Sequence, residues 1–151
     1  MVGQSDPLLR PLADLLGYQL RRLSLMTMAD LTAALEPLGI RPTESSVLFT
    51  IAGRPGVTQS EIGRALAIKR ANMAPLIAGL EAQDLIARAP MDGRSQALKL
   101  TDKGAALHRR AQEITMEHER RCFAILSDDG RRTLAQQLRE IWTAIDVPPA
   151  S

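Results

Sequence analysis

A chain of 151 residues with a formal net charge of +2 has room for one domain with a real core, and not for two large ones. Apolar residues make up 45% and charged residues 24%, an ordinary globular balance, while aromatics at 3% leave the core to Leu, Ile, Ala and Met. No apolar run approaches the roughly 20 residues of a membrane span, and MVGQSDPLLRPLAD lacks the basic head and apolar middle of a signal peptide, so the expected compartment is the cytoplasm.

After Pro7, apolar residues fall at Leu8, Leu12, Leu15, Leu16, Leu20, Leu23, Met26, Leu31, Leu35 and Leu38, spaced mostly by three and four. That spacing predicts a long amphipathic helix over about 8–37, ended by Gly39 and Pro42, with Pro11 either tolerated in its first turn or bending its start. Thirty residues make about 45 Å of helix, more than a domain of this size needs to cover itself, and the excess suits pairing with a second chain. Thr43 is placed to cap a second helix, ESSVLFTIAG, which Gly53-Arg54-Pro55-Gly56 ends.

The stretch from Thr58 to Thr101 carries the functional information. Thr58 and Glu61 form a T-x-x-E capping box ahead of a short helix with Ile62 and Leu66 facing inward. A turn at Ala67-Ile68 leads to a second helix opening at Lys69-Arg70, with Leu76, Ile77 and Leu80 inside and Lys69, Arg70, Asn72 and Met73 outside near its N-terminal end. A start near Ala71 puts Pro75 in or just past the first turn at little cost, whereas a start at Lys69 predicts a kink there. Leu85–Ala89 and Gln96–Leu100 then alternate apolar and polar residues around Asp92-Gly93, a two-residue turn signal. This order is a helix-turn-helix followed by a wing. In such a head the second helix enters the major groove, where Arg reads guanine, Asn reads adenine and Lys holds phosphate. Arg94 at the ribbon tip suits the minor groove, held there by Asp92; alternatively the two are only a hairpin ion pair.

Thr101 is placed to cap a long charged helix, and Ser127 a last one in which Leu134, Leu138, Ile141 and Ile145 step by four, three and four. Residues 41–110 hold eleven Lys/Arg against six Asp/Glu, whereas the remainder holds eight against eleven. A basic middle between acidic ends fits a surface facing a polyanion. Cys122, the single cysteine, permits no internal disulfide and is expected to form no Cys-based zinc site; it reads as a structural thiol. His108 and His118, ten residues apart, make no metal-ligand pair in the sequence. No nucleophile–base constellation or phosphate loop is present, so an enzyme is not expected, nor any cofactor.

The stretch LEAQDLIARAPMDGRSQALKLTDKG resembles the signature of the MarR (multiple antibiotic resistance regulator) family, whose wing carries Asp-x-Arg followed by Leu-Thr and a Gly. Here these are Asp92, Arg94, Leu100, Thr101 and Gly104. Upstream, TQSEIGRALAIKRANMAPLIAGLEAQ resembles the family's reading head, and the order of elements agrees over nearly the whole chain. Asp84 stands where the family usually has Gly. The resemblance implies a mainly α fold with a small β-hairpin wing. It implies a single domain, with dimerisation helices at about 8–38 and 102–147 around a DNA-binding lobe at about 43–101. The implied function is a homodimeric regulator, usually a repressor, on a pseudo-palindromic operator, released by a small molecule. Carried over by position, Arg94 is the minor-groove residue and Asp92 its partner, the first half of 69–79 reads the major groove, and Ser60 contacts phosphate. Effectors in the family are often aromatic acids or their derivatives. Arg88 is one candidate for their carboxylate, or else a phosphate contact or a surface residue. Arg21 and Arg22, near Tyr18 and Met26, form a second candidate site, suited to a larger anion such as a CoA thioester. Two alternatives remain: a dimeric winged helix that binds protein, and a redox-responsive regulator using Cys122. The second is disfavoured because the family's peroxide sensors carry their Cys in the first helix.

Overall fold

The long first helix expected over residues 8–37 is divided in three in the computed structural model, which describes residues 7–90 and 96–145. Pro7–Leu12 is a 3-10 helix, α1 spans Leu16–Leu35, and Glu36–Leu38 is a further 3-10 turn. A proline lies within each 3-10 segment: Pro11 and Pro37 have no N–H to give to an α-helical ladder. Gly39 closes the second break in the left-handed region at φ 68°, its N–H donating to the Glu36 carbonyl at 2.9 Å.

The chain continues through α2 (Pro42–Gly53), α3 (Gln59–Ala65), α4 (Arg70–Ala82), strands β1 (Ile86–Pro90) and β2 (Gln96–Leu100), α5 (Asp102–Cys122) and α6 (Asp128–Ala144). The expected cap of α2 is corrected from Thr43 to Arg41, because Pro42 takes the first helical position, where a missing N–H costs nothing. Glu44 accepts the Arg41 N–H at 2.7 Å and its guanidinium at 3.0 Å. Burial pushes the Glu44 carboxyl up, but these bonds and the Arg41 charge outweigh it and hold the group below its ordinary range. The expected caps of three other helices form. Thr58 and Glu61 satisfy each other's backbone N–H groups, and the Thr101 and Ser127 hydroxyls accept from Gly104 and Gly130.

Helices α3 and α4 end in the same way. After α3, Ala67 N–H reaches the Arg64 carbonyl and Ile68 N–H the Gly63 carbonyl; after α4, Asp84 and Leu85 do the same to Glu81 and Leu80. Such paired bonds require one left-handed residue, normally Gly. Here the positions are Ala67 at φ 51° and Asp84 at φ 57°. Asp84 therefore adopts the backbone that the family's usual Gly supplies. For Ala67 the left-handed backbone costs roughly 1–2 kcal/mol, whereas glycine loses about 0.4–1 kcal/mol more chain entropy. Ala67→Gly is thus expected to stabilise the protein by about 0.5–1 kcal/mol in urea unfolding. A loss of stability would mean that the turn is not strained.

The ribbon does not stand alone. Its antiparallel ladder runs from Ile86 opposite Leu100 to Pro90 opposite Gln96. On its other edge β2 takes up the chain between α2 and α3: Leu98 N–H donates to the Val57 carbonyl at 2.9 Å, and Thr58 bridges Ala97. A bare hairpin is marginal in water, and this third segment supplies what it lacks.

The core is aliphatic: Ile40, Val47, Leu48, Ile51, Val57, Ile62, Met73, Ile77, Leu80, Leu85, Ile86 and Leu98 are buried around α2–α4 and the ribbon. By contrast α6 has no buried residue and α1 only Leu35. Leu16, Leu20, Leu23, Met26, Ile141, Trp142 and Ile145 are exposed on them. Among the described residues no helix is long and apolar enough to cross a membrane.

Candidate nucleic-acid interface

Helices α3 and α4 meet closely because Gly63 has no side chain. A Cβ there would stand 3.1 Å from Met73 Cγ. Met73 itself is 2% exposed, so its expected place on the outer, DNA-facing side is corrected. It is the wedge between the two helices, three residues before the inward Leu76 and four before Ile77, on the same helical face. The other head residues stand as the sequence places them: Lys69, Arg70 and Asn72 are exposed at the start of α4, and Ser60 is exposed in the first turn of α3.

The start of α4 is electrostatically apt for an anion. The first backbone N–H groups of a helix have no internal partner, and its dipole is positive at that end. Lys69, extended at ψ 140°, is the cap, and its carbonyl accepts the Asn72 N–H at 2.9 Å. No acidic residue occupies this first turn. Pro75 is the sixth residue of α4, too late to be free of cost, and leaves the Ala71 carbonyl without its helical donor. The helix nonetheless continues to Ala82.

The ribbon projects from the same lobe. Asp92 and Arg94, expected from the sequence at its tip, lie outside the described residues. Arg88 on β1 is held by α4: its Nε and Nη2 donate to the two carboxylate oxygens of Glu81 at 2.7 and 3.1 Å, and Nη1 donates to Gln96 at 3.1 Å. The Glu81 hydrogen bond raises the guanidinium further above its usual range. The Arg88 guanidinium is thus already engaged in this structure, as a strut that fixes the wing to the helix carrying Lys69, Arg70 and Asn72.

On α1, Arg21 and Met26 are exposed, and the Arg22 guanidinium lies 6.0 Å from the centre of the Tyr18 ring. Two open clefts among the described residues lie elsewhere. One runs between the end of α1 and the start of α2, lined by Ala29, Thr32, Ala33, Glu36, Ile40 and Arg41. The other lies between α1 and α5, lined by Ala34, Glu113, Ile114, Glu117, His118 and Arg121. Neither reaches the Tyr18–Met26 group.

On α5, Cys122 lies beside His118, one helical turn earlier, and Asp30 of α1. The H-x3-C spacing was visible in the sequence; the third group arrives only through packing of α1 on α5. Burial first, then the Asp30 charge, pushes the Cys122 thiol above its ordinary range.

A helix-turn-helix with an exposed basic head, followed by a two-stranded ribbon and flanked by long helices, defines a winged helix-turn-helix protein. A MarR family model matches residues 38–95. The transcriptional repressor CouR bound to a 23-mer DNA duplex is 36% identical, with a TM-score of 0.81 over 88% of this chain and 96% of that one. CouR bound to p-coumaroyl-CoA is 31% identical, with a TM-score of 0.78 over 97% of this chain and all of that one. The Mycobacterium tuberculosis MarR family protein Rv2887 in complex with salicylic acid is 29% identical, with a TM-score of 0.68 over 83% and 95%. The chain belongs to the MarR family of transcriptional regulators.

Proposed function

We propose that this protein is a homodimeric repressor that binds a pseudo-palindromic operator and leaves it when a small aromatic carboxylate, or its CoA thioester, binds. The observation that carries the reading is the division of the surface. Lys69, Arg70 and Asn72 crowd one helix start, while α1 and α6 leave their apolar side chains exposed. The first feature suits DNA, and the second suits a second copy of the chain, whose two heads would address half-sites about one turn apart. CouR on a 23-mer duplex and on p-coumaroyl-CoA, and Rv2887 with salicylic acid, support both the nucleic-acid and the effector class. The Tyr18, Arg21, Arg22 and Met26 group is the effector site we favour, because two arginines consecutive in sequence beside an aromatic ring suit the charged, nucleotide-bearing part of a CoA ester.

The test is fluorescence anisotropy on a labelled duplex from upstream of the protein's own coding sequence, across a salt series, with p-coumaroyl-CoA and salicylate as challengers. Tight binding by a dimer that falls steeply with salt, and is reversed by a challenger, is the expected result. A salt-independent, weak association, persisting with duplexes selected from random sequence, would point instead to a protein-binding winged helix. Peroxide should leave the affinity unchanged, because a protonated, half-buried Cys122 thiol is a poor nucleophile.

A further inference from the structure

Where α1 crosses α5, three side chains of different chemistry converge away from the DNA-reading head. His118 and Cys122 lie four residues apart on one face of α5, and Asp30 faces them from α1. The thiol Sγ is 3.3 Å from His118 Nε2 and 3.9 Å from Asp30 Oδ2, and Nε2 is 3.4 Å from the same carboxylate oxygen. With bonds of about 2.3 Å to sulfur and 2.0–2.1 Å to nitrogen or oxygen, a tetrahedral zinc ion sets its ligands about 3.3–3.6 Å apart. Two of the three separations already fall there, and the third needs only a few tenths of an ångström. The donors also grade in access: His118 is 3% exposed, Cys122 is half-buried, and the Asp30 side chain is 46% exposed. The exposed Asp30 carboxylate leaves the group a route to solvent. The Thr27 carbonyl, 3.0 Å from Nε2, lies on the helical turn before Asp30.

From this geometry we infer that Asp30, His118 and Cys122 form a binding site for one thiophilic divalent cation, Zn2+, per chain, clamping α1 to α5. Binding proceeds with a simple proton balance. The thiol proton leaves to solvent, and the neutral imidazole carries its one proton on Nδ1, leaving Nε2 for the metal. Without metal, the Arg121 guanidinium pairs with the Asp30 carboxylate and keeps it in position. Being cationic, it also competes with the ion, so its removal should tighten binding. A purely structural ion-pair cluster predicts no such gain.

The experiment is anaerobic titration of the full chain with Co2+, followed by displacement with Zn2+. One equivalent per chain with a thiolate-to-cobalt charge-transfer band is expected, and Zn2+ should abolish the band. Asp30→Asn, at an exposed position, should weaken binding at least tenfold, Cys122→Ser should remove the band, and Arg121→Ala should tighten binding severalfold. Circular dichroism of each variant separates loss of the site from loss of the fold. Absence of the band in the wild type overturns the inference. So does a band that Asp30→Asn leaves at full affinity, which would mark a lone reactive thiol, or one equivalent per two chains, which would mark a site between subunits. None of these readouts involves DNA, so the repressor reading stands or falls separately.

Discussion

Replacing Gly104 with alanine is expected to lower stability by about 3 kcal/mol, at the upper end of what overpacking costs, and the melting temperature by roughly 6–12 °C. A Cβ at this position would stand 1.8 Å from the Leu85 carbonyl oxygen and 2.8 Å from its carbon. Both are backbone atoms, so no side chain can swing away to relieve the clash. The Leu85 carbonyl cannot retreat either, since it accepts the Thr101 N–H at 3.1 Å. Thr101 completes the joint: its hydroxyl donates to the Asp84 carbonyl at 2.6 Å and accepts the Gly104 N–H at 2.9 Å. The end of α4, the root of the wing and the start of α5 are thus tied within a few residues. The missing side chain of Gly104 is the condition for that closeness. Gly79→Ala is the control, because a Cβ there meets nothing within 4 Å and alanine is the better helix former. Urea or thermal unfolding reads both variants. If Gly104→Ala unfolds with the wild type, the close approach is not what the fold depends on.

That joint also shows why some of the molecule was legible in sequence and some was not. Leu-Thr followed by Gly was recognisable as a pattern, and Thr101 as a cap, because capping is local chemistry over three residues. The reason for the Gly is not local: it lies in Leu85, nineteen residues earlier. The same limit explains the corrections. The polar Lys69, Arg70 and Asn72 around Met73 suggest an outward side chain, but the missing side chain of Gly63 on α3 leaves room for Met73 inside. The pairing of Arg88 with Glu81 is not local either, because the two meet only when the ribbon folds back on α4. Asp30 and Cys122 are joined by the packing of two helices whose periodicity fixes a buried face but not which turns of it meet. The Thr58–Glu61 capping box, the Asp84 turn and the presence of the two ribbon strands, by contrast, each rest on residues close in sequence. Those were readable.

At the DNA, the expected result is a split between two kinds of loss. Arg70→Ala and Asn72→Ala should each cost about 1–3 kcal/mol on the operator, with relaxed preference at one base pair, if their side chains meet base edges. Lys69→Ala should weaken every sequence alike and reduce the salt slope by about 1, the signature of one phosphate contact. Arg94→Ala should cost a similar 1–3 kcal/mol, concentrated on sites whose flanking steps are A·T-rich and narrow. Met73 provides the counter-case. Met73→Ala removes a buried wedge and should cost about 2–5 kcal/mol of stability, with affinity falling only as the folded fraction falls. Met73→Leu, nearly equal in volume, should retain operator preference unchanged. Had Met73 read a base, that conservative change would alter preference without altering stability. Selection of bound duplexes from a random pool, run beside unfolding curves for the same variants, separates these outcomes. The strut adds a last discrimination. Breaking the Glu81–Arg88 pair with Glu81→Gln leaves every DNA-facing side chain intact. Weaker operator binding by that variant therefore means that wing and recognition helix must be held in fixed relation, and unaltered binding means that each docks on its own.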